Sequence, residues 1–208
     1  MRSRKPAETR KAEIIDATLR LADKLGLGQL STEAIAKDVG ISQPGIFRHF
    51  PKKRDLWQAV AGRIGAMMEA VWLNAQKDDD AKNKIRALIR AQLQLIQTTP
   101  AIPAILFSRE LHITNEGLRA AIFSLMSRFM MLIVKLVAEA QAAGDLRSDL
   151  NPKDAAGLII SLVQGLAIRW SISGREFDLA EEGARLLEIQ LQGFGASLCD
   201  TDKDTNAP

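Results

Sequence analysis

The sequence predicts an all-helical protein of about nine helices in two domains. Hydrophobic residues make up 47% of the 208 residues, Tyr is absent, and Ala, Leu and Ile dominate the apolar set. Such a composition favours helices over sheets. Apolar residues recur three or four positions apart, and no stretch alternates as a half-buried strand does. We expect one domain over residues 1–56, a second over residues 57–196, and a polar, disordered tail over residues 197–208.

The first helix is predicted from about Thr9 to Leu25. Ile14, Ala17 and Leu21 form one apolar stripe along it, against which later helices can pack. A basic arm, residues 1–7, precedes this helix. Two interpretations of the arm are equally open: it lies along a nucleic-acid backbone, or it is simply a disordered start.

Residues 31–57 form the most specific pattern in the chain, two short helices joined by a tight turn. Ser31 and Thr32, both N-cap residues, lie where the first short helix begins. Gly40 follows the last apolar position, where a helix ending requires a left-handed backbone. Pro44 falls in the first turn of the second helix, and Pro51 prevents its continuation. This arrangement predicts a helix-turn-helix.

The second short helix has an outer face suited to a DNA major groove. Ile46 and Phe50 are four residues apart and can face the core, while polar and basic side chains occupy the other side. Phe47 belongs to the outer face unless it turns inward and packs with those two residues. The candidate DNA-contacting residues are Thr32, Ser42, Gln43, Pro44, Gly45, Phe47, Arg48, His49 and Lys53.

Residues 9–57 resemble the N-terminal domain of the TetR family of bacterial transcriptional regulators. The matching positions are Thr32, Ile35, Ala36, Gly40, Ile41, Ser42, Phe47, His49, Phe50, Lys53 and Leu56. Two positions depart from the family pattern: Phe47 stands where Tyr is usual, and Arg54 replaces a common acidic residue. The resemblance implies a homodimer that binds a pseudo-palindromic double-stranded DNA operator and responds to a small molecule.

The charge distribution agrees with a nucleic-acid partner. Residues 1–56 carry 12 Lys or Arg against 7 Asp or Glu, whereas residues 57–208 carry 16 against 18. The basic excess therefore coincides with the helix-turn-helix, as an electrostatic footprint for phosphates should.

Six further helices are predicted after the helix-turn-helix. Apolar spacing, cap residues, prolines and Gly144 place them at about residues 53–74, 81–98, 100–112, 115–143, 152–173 and 178–196. The helix from Lys53 leaves the DNA-binding domain and enters the second domain, so it is the expected mechanical link between them.

The resemblance implies a small-molecule pocket between the fourth and seventh predicted helices. Methionine and aromatic side chains suit an adaptable apolar pocket, although at helical spacing they are also ordinary core residues. The candidates for lining it are Met67, Met68, Trp72, Phe107, Phe123, Met126 and Met130. Arg109, Glu110 and His112 are the nearest polar residues, either solvated or in contact with a polar part of the ligand. No pattern among these residues identifies a ligand.

The last two predicted helices are candidates for a dimer interface. Gly157, Ser161 and Gly165 form a stripe of small residues on a helix that is apolar almost all round. Its own domain can supply all the cover, or a second subunit can. The resemblance favours the second alternative, with Gly157, Ser161, Gly165, Leu187 and Leu191 at the interface.

Several other classes of protein are disfavoured. The sequence has no nucleophile motif, phosphate loop or Cys/His cluster, and its two histidines are far apart, so we expect neither an enzyme, a cofactor nor a metal site. Cys199 is the only cysteine, which fits the reducing cytoplasm. The apolar run over residues 155–168 is too short to cross a membrane. The function predicted is a ligand-released repressor; the alternative is a non-transcriptional, partner-recruiting role on the chromosome.

Overall fold

The computed structural model describes residues 6–78 and 80–195, which form ten α-helices, one 3₁₀ turn and no strand. The proposed tail and residues 1–5 of the arm lie outside the described residues. The helices are α1 (Ala7–Leu25), α2 (Thr32–Val39), α3 (Gln43–His49), α4 (Lys53–Ala75), α5 (Ala81–Thr98), α6 (Ala101–Leu106), α7 (Arg109–Thr114), α8 (Glu116–Ala142), α9 (Pro152–Ile172) and α10 (Leu179–Gly195).

The first three helices form the predicted helix-turn-helix unit. Ile14 and Ala17 of α1 are fully buried against α2 and α3, which also bury Ile35 and Ile46. Gly40 ends α2 with φ 73° and ψ 39°, the left-handed conformation that glycine adopts without steric cost. Helix α1 begins at Ala7, two residues before the predicted start.

Helix α4 is continuous for 23 residues and joins the two halves of the molecule. It buries Val60, Ile64 and Met68, and it packs against α1 on one side and α5 and α8 on the other. The predicted domain boundary after residue 56 therefore falls inside a single rigid element, so a movement of one end of α4 is carried directly to the other.

The predicted helix over residues 100–112 is wrong in one respect, because it is two short helices, α6 and α7. The Ser108 hydroxyl accepts a hydrogen bond from the Leu111 amide at 3.3 Å and begins a new helix. Serine side chains compete with the helical backbone in this way and favour N-caps over helix interiors. The break leaves Phe107 at the end of α6, 43% exposed.

Helices α5, α8, α9 and α10 pack with α4 into the second domain. Ile89 and Leu93 of α5 and Ile133 and Leu136 of α8 are buried in its core. On the surface, Arg86 of α5 contacts both carboxylate oxygens of Glu188 of α10, at 2.5 and 3.0 Å. The hydrogen bonds from this guanidinium hold the pKa of the Glu188 carboxyl below its ordinary value.

Two of the described helices are long and apolar enough to span a bilayer, α8 with a mean hydropathy of 1.9 and α9 with 1.5. The run over residues 155–168, expected to be too short, belongs to α9, whose 21 residues pass this test of length and composition, so that expectation was wrong. Arg128 of α8 forms a 2.6 Å ion pair with Glu69 of α4, so α8 is fixed inside the helical bundle. Core helices of bundles pass the same test of length and composition.

Candidate DNA interface, ligand cavity and dimer face

Helix α3 separates its side chains into a buried and an exposed set. Ile46 and Phe50 are buried, whereas Gln43, Pro44 and Arg48 are exposed. Phe47 is 40% exposed, although its two apolar neighbours are buried. Of the two interpretations of Phe47, the packing in this molecule favours the outward one. The exposed set covers a surface that no other described element of the chain occupies, as a recognition helix requires.

Gln43 and Thr32 are joined across the turn between α2 and α3. The Gln43 side-chain amide donates to the Thr32 hydroxyl at 2.9 Å, and both groups lie at the starts of their helices. This bond restricts the rotamers of Gln43, so its carbonyl oxygen and remaining N–H are presented in a defined direction. Ser42 occupies the N-cap of α3, but its hydroxyl makes no capping hydrogen bond.

An open groove of about 680 Å³ runs between the first turns of α1 and helix α3. Arg48 and His49 of α3 line one side, and Arg10 and Lys11 of α1 line the other. The sequence does not identify Arg10 and Lys11 as DNA-binding candidates, because a charged residue on a helix carries no signal of which other helix it lies beside. Arg10 pairs with Glu13 at 2.8 Å and Lys11 with Glu8 at 3.1 Å, so a phosphate bound in this groove would compete with these carboxylates.

Lys53 lies in the first turn of α4, where the helix dipole already favours an anion. The turn is fixed by a 2.9 Å hydrogen bond from the Lys52 amide to the Asp55 carboxylate. The side chains of Lys53 and Arg54, which lie between the two residues joined by this bond, are exposed. Arg54, the departure from the family pattern, therefore adds a second cation to this corner instead of a carboxylate.

The second domain encloses an apolar cavity of about 30 Å³ between α4, α5, α6, α8 and α9. Its lining residues are Met68, Gln92, Ile96, Ile102, Pro103, Leu106, Phe107, Met126, Phe129, Ile160, Val163, Gln164 and Ala167. A space of this size holds about one water molecule. Admission of a drug-sized ligand therefore requires the surrounding helices to separate.

The structure places three of the seven predicted pocket residues, Met68, Phe107 and Met126, in the lining of this cavity. Trp72 does not line the cavity but contacts two residues that do. Its indole N–H donates to the Gln92 side-chain oxygen at 2.7 Å, and its ring stacks on Phe129 with centroids 4.9 Å apart.

The remaining three predicted pocket residues lie outside the cavity. Met67 and Met130 are partly buried against the core, and Phe123 is 72% exposed on α8. Phe123 is therefore corrected from a pocket residue to a surface residue, because it points away from α4, α5 and α9. The aliphatic lining from α6 and α9 was missed, since Ile and Val at helical spacing resemble ordinary core.

A wide surface groove of about 680 Å³ adjoins the cavity and shares Leu106 and Phe107 with it. Arg109 and His112 of α7 and Glu116 and Arg119 of α8 line this groove, and Arg119 pairs with Glu116 at 3.6 Å. Arg109 and His112, two of the three polar residues named from the sequence, therefore lie in a groove that adjoins the cavity. An apolar cavity and a groove that carries charged side chains therefore meet at Leu106 and Phe107.

The predicted dimer residues divide into two groups. Gly157, Ser161 and Gly165 lie on the outer side of α9, and a Cβ atom added at either glycine would contact nothing within 4 Å. By contrast, Leu187 and Leu191 of α10 are buried within their own subunit. They are corrected from interface to core, because α10 packs that face against α5 and α9. The outer surface of these two helices instead exposes Leu158, Ile168, Ile172 and Ile189.

Among residues 6–78 and 80–195, no group of three or more His, Cys, Asp or Glu side chains is arranged to hold a metal ion.

Residues 14–60 match the family model described as bacterial regulatory proteins of the tetR family, and residues 60–193 match that of the YsiA-like protein, C-terminal region. The transcriptional repressor BepR of Brucella suis is 26% identical over 197 residues, 91% of this chain and 93% of the relative. The nucleoid occlusion factor SlmA of Glaesserella parasuis is 24% identical over 173 residues, 80% of this chain and 83% of the relative.

Solved structures show the same fold at low identity. FadR from Bacillus subtilis, in complex with stearoyl-CoA, superposes with a TM-score of 0.74 at 19% identity, covering 89% of this chain and 99% of the other. AibR, in complex with isovaleryl coenzyme A and operator DNA, gives 0.72 at 20% identity, with 90% and 100% covered. With a helix-turn-helix, a helical second domain and family models matched over residues 14–193, the chain belongs to the TetR family of bacterial transcriptional regulators.

Proposed function

We propose that this protein is a homodimeric repressor that binds a pseudo-palindromic operator and is released by a small molecule. The observation that carries the proposal is the exposed face of α3, which presents Gln43, Phe47 and Arg48, with Arg10 and Lys11 of α1 across the groove from Arg48. Bound at a promoter, such a dimer blocks transcription by occupancy alone. We assign the protein a regulatory and not a catalytic role, as its family implies, and place it in the cytoplasm, with the chromosome.

We infer that the ligand is an acyl thioester of coenzyme A. The apolar lining suits an acyl chain once the surrounding helices separate, and Arg109 and Arg119 in the adjoining groove can contact the phosphates of the coenzyme, Arg119 by exchanging its partner Glu116. Phe107 borders both spaces and lies at the break between α6 and α7, where the backbone can give most easily. Two structural neighbours of the same fold are described in complex with molecules of this class.

The proposed mechanism is a two-state change in dimer geometry. An acyl chain larger than the cavity separates α6 from α8 and α9, and α4 transmits the movement because its Met68 lines the cavity while Lys53 begins the same helix. The unliganded arrangement fits the operator, and the liganded one does not. The ligand then shifts the population towards the arrangement that it binds more tightly.

A chromosomal role that recruits a protein partner is the second candidate, supported by the resemblance to SlmA. The two roles differ in the distribution of their sites. A repressor occupies few operators, near the genes that it controls. A nucleoid protein occupies many dispersed sites.

The experiment combines genome-wide mapping of bound sites with titration of the purified protein against the recovered duplex. We expect few sites, each with two-fold related half-sites, and binding that weakens steeply with salt. Stearoyl-CoA should release the duplex, whereas coenzyme A alone and stearate alone should not. Many dispersed sites with no release by stearoyl-CoA would favour the chromosomal role.

A further inference from the structure

The turn between α9 and α10 reaches the DNA-binding domain directly. Arg175 in this turn forms an ion pair and hydrogen bond with the carboxylate of Asp23, two residues before the end of α1. The two residues are 152 positions apart in the chain. The contact therefore joins the helix pair proposed for dimerisation to the helix that supports α3, and it does so independently of α4.

The backbone at Arg175 is held in an unfavourable conformation. Its φ is 69°, and it is the one described residue other than glycine with a positive φ. This region is costly for arginine, because its Cβ approaches the following carbonyl oxygen, although the turn that ends α9 places the residue there after Gly174. Residues kept in such conformations persist only where the surrounding contacts determine them, and they concentrate at functional positions.

Several contacts fix the turn in place. The Arg175 amide donates to the Trp170 carbonyl at 2.9 Å, and the guanidinium lies 5.5 Å from the centre of the Trp170 ring. Trp170 is itself buried, and its indole N–H donates to the Phe177 carbonyl at 3.0 Å. These contacts hold the Arg175 guanidinium against the Trp170 ring and direct it towards Asp23. They restrict its motion more than that of an arginine side chain surrounded by solvent.

We propose that the Arg175–Asp23 pair is a clamp that sets the orientation of the DNA-binding domain relative to the dimer-forming helices. This inference rests on the proposed dimeric repressor. In a dimer built through α9 and α10, the clamp on each subunit fixes how far apart the two α3 helices lie. Arg175 and Asp23 are accordingly positioning residues for operator recognition, although neither lies on the DNA-contacting surface.

The test uses Asp23→Asn, with Asp38→Asn as its matched control. Asp38 also pairs with an arginine, Arg20 of α1, at 2.7 Å and with similar exposure, but both partners belong to the DNA-binding domain. Each substitution removes one negative charge, which by itself strengthens phosphate binding. We expect Asp23→Asn to weaken operator binding about two- to fivefold, as loss of a partly exposed ion pair allows. Asp38→Asn should not weaken it.

Arg175→Gly distinguishes an effect of the clamp on operator affinity from an effect on folding stability. Glycine accepts a φ of 69° without strain, so the variant should melt at the same temperature as the parent protein or higher. Its operator affinity should nevertheless fall by the same factor as that of Asp23→Asn, and the double variant should be no weaker than either single one. A pair that only stabilised the fold would lower the melting temperature and leave operator affinity unchanged.

Hydrogen–deuterium exchange tests the clamp without DNA. Asp23→Asn should accelerate amide exchange in the turn over residues 173–178, relative to Asp38→Asn. Faster exchange with no recognisable operator would support the clamp and contradict the proposed repressor. Unchanged exchange, or operator binding by Asp23→Asn equal to that of Asp38→Asn, would overturn the clamp.

Discussion

Phe47 is the single residue at which this chain departs most informatively from its family. Its ring is partly exposed on α3, while Ile46 and Phe50 on either side are buried. A hydroxyl added at the para position of an outward ring meets solvent or a phosphate instead of the core. The site therefore offers a substitution that changes DNA contact with almost no change in packing.

We predict that Phe47→Tyr tightens binding to DNA by about 0.5–1.5 kcal/mol, the net contribution of one ordinary hydrogen bond. The gain should be nearly equal for operator and scrambled duplexes, because a phosphate carries no sequence information. Titration of both duplexes measures it. Phe50→Tyr is the matched control: Phe50 is buried, so the added hydroxyl should lower the melting temperature and bring no gain in binding. Weaker binding by Phe47→Tyr with reduced stability would place its ring in the core.

Gln43 and Lys53 should differ in what they recognise. Gln43, oriented by Thr32, can form paired hydrogen bonds with adenine, so Gln43→Ala should cost roughly 1–3 kcal/mol at one base position and relax preference there. Lys53→Ala should weaken all sequences about equally and reduce the salt dependence. Selection from a random duplex pool distinguishes the two. Lys135→Ala, on α8, is the control and should change neither. The reverse pattern for Gln43 and Lys53 would refute the assignment.

Individual residues were predictable where one helix alone decides their direction. The i, i+4 spacing of Ile46 and Phe50 places both on the buried side of α3, and the structure agrees. The cavity was less predictable, because its walls come from five helices. Met68 and Phe123 have similar apolar character, yet one lines the cavity and the other is exposed. Periodicity orients a side chain on its own helix but does not say which neighbouring helix it meets.

At the scale of elements, helix positions followed closely from caps, prolines and apolar spacing. The bounds of α5, residues 81–98, are those predicted, whereas the break at Ser108 was missed because a single serine in an apolar segment is a weak signal. The role of an apolar stripe is harder to infer. Leu187 and Leu191 face their own subunit and Gly165 faces outward, although all three lie on helices assigned to the interface.

The outer face of α9 yields the prediction at this scale. Gly165 is exposed, and a Cβ there would touch nothing in its own subunit, so Gly165→Leu should fold normally as a monomer. In a dimer closely packed through this stripe, the branched side chain forces the helices apart. Sedimentation should then show monomers, with operator binding lost. Gly62→Leu is the control, since Gly62 of α4 is equally open but lies away from α9 and α10. A Gly165→Leu variant that remains dimeric would exclude Gly165 from the interface.

At the scale of the whole molecule, the cavity and the DNA-binding surface are connected by several routes. Helix α4 runs from one to the other, and α1 packs directly against α6, which lines the cavity. The Asn115 side chain at the start of α8 donates to the Arg54 carbonyl at 3.3 Å, and Arg175 contacts Asp23. None of them passes through a flexible linker. Ligand binding and DNA binding are therefore expected to bias one and the same two-state equilibrium, and not two independent local changes.

The two binding events must then oppose each other by the same factor. If stearoyl-CoA weakens operator affinity by a given ratio, roughly 5- to 150-fold for typical coupling, the operator must weaken stearoyl-CoA affinity by that same ratio. Calorimetric titration of each partner in the presence and absence of the other measures both ratios. A scrambled duplex, bound through phosphates alone and indifferent to the spacing of the α3 helices, should produce a smaller effect on the ligand. Were stearoyl-CoA to bind equally well with and without operator while still displacing the protein from it, the release would not arise from a change in this molecule's conformation, and the two-state mechanism through α4 would be wrong.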